Sequence, residues 1–479
     1  MRLLLYVFPG MRIKGGELRM PQSYKNTFEF MAPCYENHQL YDAVRSYVIA
    51  AIELSAERLG TKFPSSDWSM FPFFPFGHLK DDIIELPEYA QCMAVIEKDD
   101  RISSHFNEMV GTEELSKRCL GSEDLMLRLP HLGIYQNKIE FNTEFFEREY
   151  KLFETEGHAP DFGYEAIIPL PGVSFCEPIK LDETLEICRV AHSDLIAPIE
   201  DDLNDELLWS PLWAIRCYYR IPKIVGENDP LSRVDGSKRN EEFRTAVNHK
   251  MEGVIACLRL IGAQNVYAAQ IVHRTRSWFF HHSHPYPVRY IPQAHWKEDL
   301  SSNYKDALIN FWMKFESESV QNRGRIVTAA RRFSLAHERY DWEDQIIDLL
   351  IAGEALFLTE NSEGELTYRL RLHSALFLSS EPTERKRIFD DMGRAYDLRS
   401  GIVHGSADLT KRIRKIETRE IGRFGDEYRL REFIFRIQTY IRLSIFNMVV
   451  LAFENPDQHP LVDWEGMALS NADSIVKKP

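Results

Sequence analysis

The spacing of apolar side chains divides the chain into a strand-containing part and a helical part. Over Leu40–Leu59, apolar residues recur every three or four positions, as they do on one face of an amphipathic helix. Between 164 and 222 this pattern gives way to short apolar runs bounded by Pro and Gly, which is typical of strands. The pattern predicts strands at 164–170, 185–187, 212–221 and 266–272, and a further helix at 240–259.

From residue 300 onward the apolar spacing is helical almost throughout. It predicts helices at 303–316, 322–338, 341–359, 365–379, 383–398 and 428–453. Ser317–Arg325 is polar and weakly patterned, so the boundary between the two parts is placed near 320. The sequence therefore predicts an α+β protein, in which a mixed, strand-containing N-terminal region is followed by an all-α helical bundle.

We expect four regions along the chain. They are an N-terminal region of unknown, partly helical fold at 1–160, a mixed α/β regulatory or sensor region at 161–320, the helical domain at 321–460 and a C-terminal tail at 461–479. Residues 1–38 and the Pro- and Phe-rich Ser69–Phe76 are expected to be irregular, and Glu227–Ser237 is expected to be a polar loop.

Composition narrows the range of possible functions and cellular compartments. The chain has 479 residues and a formal net charge of −15, so an RNA-binding surface would have to be a local basic patch. Seven cysteines without a Cys-x-x-Cys pair suit a reducing cytosol. The apolar run in Met1–Phe8 is shorter than a signal-peptide core, and no stretch suggests a membrane helix. We expect a cytoplasmic protein that does not associate with membranes.

One arginine–histidine pair is the leading candidate for chemistry. Arg399 and His404 are separated by four residues, but Arg332 and His337 have the same spacing, as do two other pairs, so the spacing has no weight alone. A helix start at 380–384 precedes this copy, with Ser380 as the expected cap. In an unbroken helix the two side chains would point about 140° apart. Gly401 lies between them, and a bend there could turn both side chains to one surface.

A histidine-rich segment is a candidate metal site. Trp278–His284 contains three histidines, but no Cys or carboxylate lies at ligand spacing nearby. An aromatic strand with a His-rich turn is the preferred interpretation. We therefore predict no metal and no cofactor.

Residues 322–453 resemble the Apea-like branch of the HEPN superfamily. Ala330–Ala336 with Asp344–Phe357, then Leu366–Leu378, then Tyr396–Gly405 carry the resemblance, and the last contains the family's Arg-x(4–6)-His signature. The resemblance implies a compact helical bundle and a metal-independent ribonuclease of bacterial anti-phage or abortive-infection systems. Ser400 stands where many active members have Asn, Asp or His, although serine can also hydrogen-bond. Leu258–Tyr267 is similar to the upstream region of such proteins, much more weakly.

RNA cleavage by the 2′-hydroxyl would divide the chemistry between the two motif residues. An imidazole titrates near neutral pH, which suits His404 for proton transfer. A guanidinium is always charged and its fork matches phosphate oxygens, which suits Arg399 for stabilising the phosphorane. Because one His cannot easily act as base and acid at once, the family pairs two such motifs across a dimer. We therefore expect a homodimer or a higher homo-oligomer with a composite site.

Several nearby residues are supporting candidates. Glu354 lies in an apolar helix stretch and would pair with Arg399 if buried, or else lie exposed on the outer side. Tyr396 would position RNA or fill the core, and Ser400 is near the motif. A basic stretch after the motif could contact phosphates, or could be a solvated face. Its residues are Lys411, Arg412, Arg414, Lys415 and Arg419.

The leading hypothesis is a cytoplasmic endoribonuclease acting in anti-phage defence or stress response, with tRNA among its candidate substrates. Residues 1–320 would then keep the nuclease inactive until needed. The main alternative is a non-catalytic HEPN module that binds RNA, a nucleotide or a partner protein. A third interpretation makes the N-terminal region the enzyme, but no catalytic motif was found there.

Overall fold

The computed structural model describes most of the chain. The described residues are 13–14, 17–18, 37–60, 79–103, 122–133, 139–170, 173–190, 212–222, 236–263, 266, 271–275, 298–300, 302–358, 365–405, 409–414, 416 and 426–469. Ser69–Phe76, Trp278–His284, residues 227–235, Lys415 and Arg419 therefore lie outside the described residues, and so do the predictions made for them.

The chain forms two compact units that are discontinuous in sequence. The first comprises Met1–Pro169, Asp182–Lys250 and Ala269–Ile291. The second comprises Leu170–Leu181, Met251–Ala268 and Pro292–Pro479. These units are defined by compactness alone, so the domain limits at 160, 320 and 460 remain predictions.

Helices of the first unit pack around one apolar core. They are α1 His38–Leu59, α2 Lys80–Ile84, α3 Pro87–Ile96, α4 Asp100–Ser103, α5 Ser122–Arg128, a 3-10 turn Leu129–Gly133 and α6 Thr143–His158. The predicted helix at 40–59 is confirmed, and it begins where the Asn37 side chain accepts the Leu40 N–H at 3.0 Å. The sequence pattern did not locate the helices between 80 and 158 individually.

The strands are β1 Ile13–Lys14, β2 Glu17–Leu18, β3 Asp161–Pro169, β4 Val173–Phe175, β5 Ile179–Lys180, β6 Leu185–Val190, β7 Leu212–Pro222, β8 Val272–Thr275 and β9 Glu298–Leu300. In the first unit, β6, β7, β3 and β8 lie side by side in that order and pair antiparallel. The strands predicted from 164, 185 and 212 are confirmed. Of the strand predicted at 266–272, residues 267–270 lie outside the described residues, Val266 is not in a strand, and β8 begins at Val272.

Two segments of the first unit differ from their predictions. Residues 1–38 were expected to be irregular, yet β1 and β2 pair antiparallel there. The loop predicted to end at Ser237 is shorter, because helix α7 already begins at Gly236 and runs to Leu260. That helix confirms the one predicted at 240–259.

The second unit is dominated by helices. They are α8 Ser302–Phe315, α9 Glu318–Gln321, α10 Gly324–Glu338, α11 Trp342–Phe357, α12 Leu366–Leu378, α13 Pro382–Val403, α14 Leu409–Arg414 and α15 Asp426–Glu454. All six predicted helices are confirmed, and α13 extends five residues beyond its predicted end. The α+β class is confirmed as well.

Helix α15 is the one helix among the described residues that is long and apolar enough, by length and composition alone, to cross a membrane. The stretch is Tyr428–Glu454, and its 18-residue window has a mean hydropathy of 1.3. Polar side chains interrupt the apolar run, so the sequence pattern alone does not indicate a membrane helix here. In the bundle, Phe433, Ile437, Ile441 and Ile445 are fully buried on one face.

Candidate functional site

The motif lies at the C-terminal end of α13, so the start and anchoring of that helix decide where it points. Glu381 caps the helix, and its carboxylate accepts the N–H groups of Thr383 and Glu384 at 2.9 and 2.6 Å. The cap expected at Ser380 is therefore wrong by one residue, because the Glu381 side chain reaches forward past Pro382 to the N–H groups of the first turn.

A buried carboxylate fixes the middle of α13 to α15. Asp391 is 2% exposed and accepts hydrogen bonds from Arg436 Nε at 3.1 Å and from the Tyr440 hydroxyl at 3.2 Å. Burial, together with the Asp391 charge, raises the pKa of Tyr440 to about 12. The phenol therefore remains a hydrogen-bond donor, and α13 is held in a single rotation about its axis.

The bend expected at Gly401 is absent. Helix α13 continues through the buried Gly401 to Val403, because the helical hydrogen bonds are kept. The chain changes direction only at His404, with φ −94° and ψ 5°, and at Gly405, with φ 63°. Glycine tolerates that left-handed conformation and ends the helix. The orientation of His404 therefore depends on the end of the helix rather than on a bend within it.

Arg399 is held by an acidic partner from another helix. Its Nη1 lies 3.2 Å from Glu354 Oε1 on α11, and the two side chains are 28% and 25% exposed. Its guanidinium carbon lies 5.6 Å from the centre of the Tyr396 ring. Its Nε is buried and has no hydrogen-bond partner among the described residues. The guanidinium is thus fixed in position while part of its donor capacity remains unused.

Glu354 is half-buried on α11, where the neighbouring helices pack closely. A Cβ on the neighbouring Gly353 would lie 3.1 Å from Ile441 Cδ1 and 3.5 Å from Leu370 Cδ1, so the helices approach closely here. Burial raises the pKa of Glu354, and the Arg399 charge opposes that rise. Of the two interpretations of Glu354, the structure has the one in which it pairs with Arg399.

The remaining motif residues differ in how far their side chains are exposed. His404 is exposed, and the neighbouring Val403 is 60% exposed. Ser400 and Tyr396 are partly buried. Within the described part of the chain, no hydrogen bond or ion pair joins the His404 side chain to Arg399. One chain thus offers an anchored arginine and a separate, accessible imidazole.

The basic stretch packs onto the motif helix. Lys411, Arg412 and Arg414 lie on the short helix α14, and Arg412 Nη1 donates to the Asp397 carbonyl of α13. Lys411 and Arg414 are exposed, whereas Arg412 is partly buried. The structure thus places exposed cations on a helix that contacts α13 close to the motif.

A buried arginine was missed by the sequence analysis. The Arg259 side chain is fully buried and donates to the Val266 carbonyl at 3.0 Å, to the Ser334 carbonyl at 2.7 Å and to Glu338 at 3.0 Å. These three partners all lie in the second unit, which indicates a structural role. The only sequence signal was the weak resemblance of Leu258–Tyr267.

A cavity of about 390 Å³ in the first unit is a weaker candidate site. Asn37, Lys98, Asp99 and Arg101 contribute to its wall. The Asp99 carboxylate already accepts from Asn37 Nδ2 at 3.2 Å and from the Arg101 N–H at 3.2 Å, and it lies 3.0 Å from His158 Nε2. Because its acceptor capacity is used within the fold, the cavity presents little chemistry.

Among the described residues, no group of three or more His, Cys, Asp or Glu side chains is placed to hold a metal ion. Comparisons of the chain with protein-family models, with curated proteins and with solved structures find no match. The resemblance to HEPN proteins therefore depends on the sequence of residues 322–453 alone.

Proposed function

We propose that this chain is a metal-independent, HEPN-type endoribonuclease that acts in the cytoplasm, in anti-phage defence or stress response. The observation that carries the proposal is the Arg399–Glu354 ion pair of 3.2 Å on an anchored helix, followed five residues later by an exposed His404 at the end of that helix. The other described Arg–His copy in the bundle differs. Arg332 pairs with Asp348 at 2.9 Å, and His337 is turned onto the Phe333 carbonyl at 2.9 Å.

In the proposed reaction an imidazole of His404 takes the proton of the RNA 2′-hydroxyl. The 2′-oxygen forms a bond to phosphorus, the bond from phosphorus to the 5′-oxygen breaks, and that oxygen receives a proton. Arg399 stabilises the additional negative charge of the phosphorane, and Glu354 keeps its guanidinium in place. The products are a 2′,3′-cyclic phosphate and a 5′-hydroxyl, so the reaction needs no oxidant and no cofactor.

A second subunit would supply the acid. The exposed Val403 beside His404 is an apolar side chain that a partner subunit could cover. Two motifs facing each other would then let one His404 act as base while His404 of the partner subunit protonates the leaving oxygen. This arrangement makes the protein a homodimer or a higher homo-oligomer, with half a site in each chain.

Lys411, Arg412 and Arg414 support an RNA substrate, because they add positive charge near the motif in an acidic chain. Unpaired loops expose their bases, which favours a structured RNA such as tRNA. In this proposal the N-terminal part restrains the nuclease until a trigger arrives. The alternative is a binding module without catalysis, which the lack of a direct Arg399–His404 contact within one chain favours.

The test compares wild type, Arg399→Ala and His404→Ala on total RNA and tRNA in the presence of EDTA, with analysis of the product ends. We expect cleavage by wild type only, with cyclic phosphate ends. Arg332→Gln is the matched control, since it alters the same spacing elsewhere and Asp348 keeps Arg339 at 2.8 Å. Cleavage that persists in both motif variants would refute the assignment.

Mixing wild type with an excess of His404→Ala tests the composite site. A mixed dimer retains a single histidine and lacks either the base or the acid, so cleavage by the wild type should fall as subunits exchange, whereas a site complete within one chain would leave it unchanged. If no variant or wild-type preparation cleaves RNA, but wild type binds it with Arg399-dependent affinity, the binding-module alternative is supported instead.

A further inference from the structure

Helices α12 and α13 present an aromatic cluster flanked by arginine. Tyr368 on α12 is 51% exposed, and its ring meets that of Phe389 on α13 edge-on, with centroids 5.8 Å apart. The guanidinium carbon of Arg371 lies 3.9 Å from the Phe389 centroid, and Arg371 Nε donates to the Phe389 carbonyl at 3.0 Å. We call these three residues the Tyr368 platform.

The platform is held in place by the packing of the two helices. A Cβ on Gly393 would lie 2.7 Å from Arg371 Nε, so the absence of a side chain there makes room for the arginine. Arg371 also lies 3.7 Å from Asp390, which offsets part of its charge. Arg371 and Phe389 therefore form a fixed base, and the Tyr368 ring above them keeps half of its surface in solvent.

The platform lies along the same helix as the motif. Phe389 and Tyr396 are seven residues apart, which places them on the same side of α13. Arg399 follows three residues later, and its guanidinium contacts the Tyr396 ring. Ten residues of α-helix separate Phe389 from Arg399, a rise of about 15 Å. Each strand of duplex DNA rises about 3.4 Å per nucleotide, and on that scale the distance corresponds to roughly four nucleotides.

We propose that the Tyr368 platform binds an unpaired RNA base, about four nucleotides from the phosphate held at Arg399. Single-strand binding sites combine aromatic rings, on which bases stack, with cations that follow the backbone. Helix α12 contains Arg369 and Arg371 and no Asp or Glu, which complements phosphate. The inference rests on the proposed function for the position of the cleaved bond, and it adds a single-stranded segment as the substrate feature recognised beside that bond.

The test measures binding of a short unstructured RNA to the full-length chain carrying His404→Ala, so that no cleavage occurs. Fluorescence anisotropy of a labelled 12-nucleotide oligouridylate gives the affinity at several salt concentrations. We expect Tyr368→Ala to weaken binding by about 5- to 150-fold, the range for loss of one base–aromatic stack. Tyr368→Phe and Tyr368→Trp should retain affinity, and the salt dependence should stay unchanged because no phosphate contact is lost.

Tyr340→Ala is the matched control, because that tyrosine is 98% exposed and outside the platform. A 2-aminopurine placed in the oligonucleotide adds a spectroscopic signature, since stacking on a ring quenches its fluorescence. Quenching that Tyr368→Ala removes and Tyr368→Trp restores supports the platform. Equal affinities for Tyr368→Ala and Tyr340→Ala would overturn it.

Two further outcomes separate this inference from the proposed function. If Arg399→Ala and His404→Ala abolish cleavage while Tyr368→Ala leaves RNA affinity unchanged, the nuclease stands and the platform fails. If wild type cleaves nothing but binds oligouridylate through Tyr368, the platform stands and the nuclease fails. A change of sedimentation mass in Tyr368→Ala without a change in RNA affinity would identify the face as a subunit contact and also overturn the platform.

Discussion

Replacing Arg436 with methionine should lower the free energy of unfolding by about 2–4 kcal/mol. Asp391 is 2% exposed and Arg436 only 12% exposed on its side chain, so this pair is buried. Removing one partner of a buried pair costs roughly 3–5 kcal/mol, because the other charge is left in a poorly solvated place. Here the expected loss is smaller, since Arg394 Nη1 at 3.5 Å and the Tyr440 hydroxyl at 3.2 Å remain near the carboxylate.

The assay is urea denaturation of the full chain, followed by far-ultraviolet circular dichroism, with the midpoint and slope of each transition compared. The double variant Asp391→Asn with Arg436→Met should regain most of the loss, because the stranded charge is gone. Arg332→Met is the control, since its side chain is 40% exposed and Asp348 keeps a second arginine, so we expect a loss of about 1 kcal/mol or less. The reasoning is refuted if Arg436→Met matches that control, or if the double variant is no more stable than Arg436→Met.

Three further predictions follow from the second unit. Burial, aided by a nearby arginine, lowers the pKa of His337 from 6.5 to about 4. The contribution of His337 to the free energy of unfolding should therefore be fully present above about pH 6.5. It should be lost as the pH falls towards 4, because only the unfolded chain then binds the proton. His337→Gln should flatten this decline in unfolding midpoints measured at pH 7, 5.5 and 4.5. Gly393→Ala should lower the unfolding free energy by about 1–2 kcal/mol by displacing Arg371, whereas Gly324→Ala, with no atom within 4 Å of its Cβ, should not, as melting curves will show. Glu354→Gln should reduce kcat for RNA about tenfold without changing RNA affinity, the equivalent of one charge-assisted hydrogen bond, and a loss confined to affinity would exclude a positioning role.

The helices of the second unit could be predicted closely because their apolar spacing is a local property. Each of the six predicted helices begins and ends within a few residues of its expected position, apart from the longer end of α13. The extension arises because Gly401, where the sequence predicts a bend, is instead buried inside the helix. Isolated glycine has no local signal that distinguishes a bend from close packing, so only its neighbours decide.

Part of the candidate site could also be predicted from the sequence. The apolar surroundings of Glu354 left two possibilities, a carboxylate paired with Arg399 or one exposed on the outer side, and the structure has the ion pair. The fully buried Arg259 and the buried Asp391 were not predicted, because their partners lie far away in sequence. Arg259 reaches Glu338 and Asp391 reaches Arg436, across 79 and 45 residues.

The sequence by itself determined the α+β class and the positions of the main helices, whereas its selection of Arg399 and His404 among several equally spaced pairs stays a prediction. Hydrophobic periodicity and helix signals act over a few residues, so they can be read without knowing the fold. Only the tertiary structure decided that Arg399 pairs with Glu354, that His404 is exposed at a helix end, and that Tyr368 lies against Phe389. Those arrangements depend on which helix faces meet, and burial and charge pairing between distant segments set that choice.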